Sequence, residues 1–184
     1  MLWYYKCMLN LGNKENIYKV VFYATRAFNK KYPVYEDKRK DFTSHFTLVA
    51  LNALNFSMQE DIDREYLLSL AILHDTIEDT DVTYEDLKKE FGKKIADGVL
   101  SLSRNENIDY EKQIPDCIER IKLQPKEVAI VKLADRLLNV RDRFADWTEE
   151  KLEKYKKEAQ YICDELGYAC DNLKNELQKA IDVY

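Results

Sequence analysis

Apolar residues recur three and four positions apart along nearly the whole chain, and no stretch sustains the apolar–polar alternation of a half-buried strand. With only 4 Gly and 3 Pro among 184 residues, little interrupts that period. A chain of this kind must bury its apolar stripes helix against helix. Its length suits one domain with a sizeable core, and no repeat, low-complexity tract or Pro/Gly/Ser linker divides it. The expectation is an all-α single domain over 1–184, a bundle of roughly eight or nine helices.

Local signals place the elements. A first helix is predicted over about 14–31, with Ile17, Val20, Val21, Ala24 and Phe28 on one face and Pro33 closing it. The polar run YPVYEDKRKD leads into a second helix at about 44–56, and a third at about 63–79 carries Leu67, Leu68, Leu70, Ala71 and Leu73. Thr83 with Asp86 three residues on has capping-box spacing, and Gly92 suits a helix end. A helix from 93 to about 103 follows, then a loop near SRNEN and a helix around 110–122, in which Pro115 predicts a late start or a bend. After Pro125 the run KEVAIVKLADRLLNVRDR reads as one long amphipathic helix. Thr148 caps another, to about 165; Gly167 ends it, and a last helix completes the chain.

A net charge of −5 argues against broad nucleic-acid binding, while leaving room for a local basic pocket. Cys7, Cys117, Cys163 and Cys170 form no CxxC pair and read as reduced, packed thiols. The apolar start MLWYYKCMLNLG is too short to span a bilayer and lacks a cleavage site. Its Trp3, Tyr4 and Tyr5 suit packing on the core or a second subunit, so a homo-oligomer is open to it. A cytoplasmic protein is expected, with no membrane partner.

The chain has two histidines, His45 and His74. His74 opens the run HDTIEDTD, in which helical spacing puts Glu78 a turn beyond His74 and Asp79 a turn beyond Asp75. Unpaired buried carboxylates are costly, so such a cluster calls for a cation or a ring of donors; a solvated acidic helix end is the plainer alternative. Asp135 sits among apolar neighbours in VKLADRLLNVRD, with Asn139 one turn later. An ordinary ion pair with Lys132 or Arg136 would also account for it.

The order H…HD…D, with HDTIEDTDVTYEDLKKEFG and VKLADRLLNVRD, resembles the HD superfamily of metal-dependent phosphohydrolases. More closely, it resembles the hydrolase domain of the RelA/SpoT proteins and their small single-domain relatives. The resemblance implies a helical HD domain that removes the 3′-pyrophosphate of the nucleotides ppGpp and pppGpp with a bound manganese ion. Carried over by position, it makes His45, His74, Asp75 and Asp135 the metal ligands. Glu78 and Asp79 become the catalytic pair for water and proton transfer, and Asn139 a contact to substrate or the metal's surroundings. Around the first histidine, where the family has a Gly-x-Pro-Tyr-Ile stretch and an upstream Arg-Lys pair, this chain has KRKDFTSHFT. Lys38, Arg39 and Lys40, with Arg26 and the Arg136–Arg141 helix, are the candidates for substrate phosphate, Arg39 and Lys40 standing where the family has its Arg-Lys pair.

Two nitrogens and two carboxylates form a fairly hard donor set, suited to Mn2+, with Mg2+ or Fe2+ as alternatives. Binuclear relatives use additional histidines, so one ion is expected. Rival readings are an HD phosphatase acting on another nucleotide, such as a nucleoside monophosphate or NADPH, and a regulatory module that binds an alarmone without turnover.

Overall fold

The computed structural model describes residues 13–32, 42–141 and 147–183. Among these residues there is no strand. There are nine helices of eight residues or more and one single helical turn. They are α1 (Lys14–Lys31), α2 (Phe42–Phe56), α3 (Arg64–Leu73), the turn α4 (Thr76–Asp79), α5 (Tyr84–Phe91), α6 (Lys93–Leu102), α7 (Tyr110–Lys122), α8 (Lys126–Arg141), α9 (Glu149–Leu166) and α10 (Asp171–Asp182). A 3-10 turn, Gly167–Ala169, joins the last two.

Two helices form the centre. Every residue of α3 from Tyr66 to Leu73 is buried, as are Val128–Leu138 along α8. A helix that is buried all round has neighbours on every side. Around α3 stand α1, α2, α6 and α8; around α8 stand α2, α3, α9 and α10. The outer helices are amphipathic: α1 buries Val20, Ala24 and Phe28, with Ile17 and Val21 at the margin, as its spacing predicts. Phe42 stacks on Phe28 (4.6 Å between centroids) and Tyr32 (4.8 Å), which starts α2 two residues before the sequence-based boundary.

Several local signals act as read. Thr83 and Asp86 close a reciprocal capping box, Gly92 takes φ +86°, and Thr148 Oγ1 accepts from the Lys151 N–H. Cys117, Cys163 and Cys170 are buried free thiols; Cys7 and Pro33 lie outside the described residues. Three expectations are corrected. Helix α7 starts at Tyr110 and not late, although Pro115 lies inside it and withholds a donor from the carbonyl of exposed Glu111. Helix α8 is buried on all sides rather than amphipathic, because it runs through the centre of the bundle. The single helix expected over 63–79 is broken at His74 and Asp75, for a reason that belongs to the site.

Gly98 lets α6 approach α3 closely. A Cβ there would come within 2.5 Å of Tyr66 Oη and 2.6 Å of Leu70 Cδ2, both on buried side chains. Gly98→Leu should therefore destabilise by roughly 1–3 kcal/mol through overpacking, although leucine is the better helix former. Urea unfolding measures this, and an unchanged or raised midpoint would refute the close packing of α6 on α3.

Candidate metal centre

The break after α3 comes from side chains that claim the helix's last carbonyls. His74 Nδ1 lies 2.8 Å from the Ala71 oxygen, and Thr76 Oγ1 donates to the Leu73 oxygen at 2.6 Å. Asp75 leaves the helical region (φ −96°, ψ 0°), and α4 then resumes with Asp79 N–H donating to the Asp75 oxygen. A carbonyl only accepts, so Nδ1 carries a proton, and Nε2 is the nitrogen that offers a lone pair whenever the ring is neutral. That Nε2 is buried without a hydrogen-bond partner. Asp75 Oδ2 is 3.0 Å away, but outside the geometry of a hydrogen bond to the ring.

Three helices meet at this nitrogen. His45, from α2, brings Nε2 to 3.6 Å from Asp75 Oδ2 and 3.4 Å from Asp135 Oδ1. Asp135, from α8, has Oδ1 3.7 Å from His74 Nε2. One donor atom each of His45, His74 and Asp135 falls within 4.8 Å of the others, close enough to share an ion. Asp75 flanks the two histidines from the outer side without entering that tightest group. All four predicted ligands thus converge, with His74 and Asp135 buried and His45 and Asp75 partly open.

The surrounding groups hold Asp135 in place. Asn139 Nδ2 donates to its Oδ1 at 2.6 Å, and the Lys132 ammonium stands 3.7 Å from its Oδ2. The predicted contact of Asn139 is thus to a candidate ligand, and the simple ion pair with Lys132 exists alongside the cluster rather than replacing it. Burial alone would push the His74 imidazole pKa down, but Asp75 and Asp135 outweigh it and hold it well above the ordinary histidine value. Burial would likewise raise Asp135, yet His45, His74 and Lys132 hold it well below the usual carboxylate range. An orphaned imidazole nitrogen facing two anionic carboxylates is a donor set that fits a divalent cation.

Glu78 is exposed on α4 and accepts the Arg104 N–H at 2.6 Å. It lines a cavity of about 440 Å³ together with Ser103, Arg104, Asn105 and Asn107. Asp79 is half-buried on the same turn. Arg26 is exposed on α1, opposite its buried stripe, and Arg39 and Lys40 lie outside the described residues. Sequence reasoning missed Arg104 and gave Lys132 only a bystander's part. The signal for Lys132 was a lysine flanked by Val131 and Leu133 in a helix too apolar to be a surface; Arg104 offered none.

A helical bundle that gathers His45 from α2, His74 and Asp75 from the end of α3 and Asp135 from α8 has the form of a divalent-metal hydrolase domain. The chain belongs to the HD domain family, whose profile matches residues 42–140. It is similar to the guanosine-3′,5′-bis(diphosphate) 3′-pyrophosphohydrolase of Aquifex aeolicus, 34% identical over 151 residues that cover 78% of this chain and 21% of that protein. The MESH1 protein of the same description from Drosophila melanogaster is 30% identical over 127 residues, covering 67% of this chain and 71% of that protein. This chain therefore spans about a fifth of the bacterial relative and most of the fly one. In fold it resembles a metazoan ortholog of SpoT that hydrolyzes ppGpp, with TM-score 0.77 at 24% identity over 94% of this chain and 97% of that one.

Proton and cation compete for His74 Nε2. A histidine whose folded pKa is raised stabilises the metal-free fold fully below its unfolded pKa, and that contribution fades as pH rises through the folded value. A cation replaces the proton, so its stabilising effect should grow over the same rise in pH. Melting curves with and without added Mn2+ across a pH series should show a Tm gain that widens toward high pH. A gain independent of pH would mean that no imidazole proton is displaced.

Proposed function

We propose that this chain is a manganese-dependent pyrophosphohydrolase of ppGpp, releasing pyrophosphate and GDP. The reading rests chiefly on the buried, partnerless Nε2 of His74 among His45, Asp75 and Asp135, taken with the substrate named for the relatives. We read 1–184 as one HD domain of the cytoplasm acting on a small nucleotide. The described residues contain no helix long and apolar enough to cross a membrane.

His45, His74, Asp75 and Asp135 would hold the ion, whose bound form supplies a water of lowered pKa and a polarised phosphoryl oxygen. The rest of the chemistry falls to the chain's own groups. Asn139 and Lys132 fix the Asp135 carboxylate so that Oδ1 faces the histidines. Glu78, steadied by the Arg104 N–H at the mouth of the cavity, takes a proton from the attacking water. Asp79, one residue on, assists or returns a proton to the departing group. Arg39, Lys40 and Arg26 are the proposed contacts to substrate phosphate, arginine being suited to it by its planar fork of donors.

Single alanine substitutions of His45, His74, Asp75 and Asp135 should each sharply lower bound metal in elemental analysis. Glu78→Gln and Asp79→Asn should keep the metal while turnover of ppGpp falls by something like 10²-fold, the usual scale for general acid–base groups. Full metal occupancy in any two ligand variants, or parental turnover in both carboxylate variants, would refute these assignments. The substrate is tested by incubating the protein and Mn2+ with a nucleotide panel. Hydrolysis of a monophosphate or NADPH with ppGpp untouched would favour a general HD phosphatase, and binding of ppGpp without turnover a regulatory module.

Changing Arg39 and Lys40 together to Ala should raise KM for ppGpp and leave metal content unchanged. An unaltered KM would remove both residues from the substrate site.

A further inference from the structure

Beside the proposed centre lies a group of charged side chains, among them the Arg104 guanidinium, to which the roles above assign nothing. Glu158, on α9, places Oε2 3.9 Å from Arg104 Nη2 and 3.9 Å from Arg136 Nη2, while its Oε1 accepts from the Tyr110 hydroxyl at 3.3 Å. Arg136 is 2% exposed, with its guanidinium 4.3 Å from the Tyr155 ring centroid. Its Nε and Nη1, like Glu158 Oε2, are buried without hydrogen-bond partners. Two arginines therefore share one carboxylate, at distances that attract without fixing a bidentate pair.

The location of these arginines gives the group its meaning. Arg136 follows Asp135 directly on α8, and the backbone of Arg104 holds Glu78. We propose that Glu158 is a positioning residue: it neutralises Arg136 and keeps the Arg104 guanidinium off Glu78. The inference rests on the role given to Glu78 above. Buried cations do not stay unpaired, because the desolvated charge takes whatever counter-charge it can reach. The Arg104 side chain is only partly buried and also meets Tyr110, and the other carboxylate within its reach is Glu78, which accepts its backbone N–H and lines the same cavity. A carboxylate locked to a guanidinium is a poor acceptor for a proton from water. Loss of Glu158 would therefore slow the chemical step without removing either the metal ligands or the substrate contacts.

The test is a pair of variants assayed on ppGpp with Mn2+, and in parallel on the nucleotide panel. Glu158→Gln should lower kcat about tenfold with KM changed less than about threefold, since the lost function acts in the transition state. Adding Arg104→Gln should restore most of the lost kcat, and Glu158→Asp should keep it near parental. A purely structural role predicts the opposite, a double variant at least as slow as the single, and that outcome overturns the proposal. Thermal unfolding supplies a readout free of turnover: Glu158→Gln should cost less Tm in the Arg104→Gln background than in the parent. Strictly additive Tm losses overturn the proposal whatever the activity. Coupled Tm losses in a protein inert toward ppGpp would overturn the functional reading instead, and the kcat comparison is then made on whichever panel nucleotide is hydrolysed.

Discussion

The hydrogen bond from His74 Nδ1 to the Ala71 carbonyl is the contact on which the centre depends. It ends α3 together with Thr76, sets the tautomer, and turns the remaining nitrogen toward the two aspartates. The carbonyls of a helix end need partners in any case, so the fold gains the orientation at little extra cost. Breaking the helix there also lets Asp75 turn out of the helical path, where it reaches both histidines rather than continuing along the surface of α3.

Charge is the second constraint. Asp75, Asp135, Glu78 and Asp79 fall within one short stretch and one facing helix, and two carboxylates in a protein interior repel each other at a cost of several kcal/mol. Lys132 lies against Asp135, and both histidines lie between Asp135 and Asp75. Glu78 takes a backbone N–H from Arg104, while Glu158 stands beside the guanidinium groups of Arg104 and Arg136. A divalent ion completes that balance, which is why the donor set favours a metal over protons alone.

Most of the helices were legible because each outer helix buries one face, and a one-sided stripe leaves a period in the sequence. Val20, Ala24 and Phe28 on α1 are an example. The break after Leu73 was not legible: an apolar run followed by HDTIED reads as one amphipathic helix until the side chains are seen to compete for the carbonyls. The start of α2 depended on Phe42 meeting Phe28 and Tyr32, contacts distant in sequence. His74, Asp75 and Asp135 were recognisable through two long motifs, and His45 only through its order ahead of them. Arg104 and Glu158 were not, and Arg136 was read as a partner for Asp135 or a phosphate contact rather than as a buried neighbour of Glu158, since a charge in a loop or on a helix reads as solvated until the neighbour that buries it is known.

The division of labour between rigid and exposed parts follows from where each group sits. Asp135 and His74 stand in or at the end of helices packed on all sides, where a shift of position would disturb many neighbours. Glu78 stands on a four-residue turn at the edge of a cavity whose other wall is the loop from Ser103 to Asn107. A change in that loop can reshape the space beside Glu78 without moving the donors, whereas the converse is physically difficult. The candidate donors are therefore held by the core, and the space beside Glu78 is shaped by the surface segments around it. Arg104 belongs to both parts, because its backbone braces Glu78 while its side chain reaches the packed helix α9.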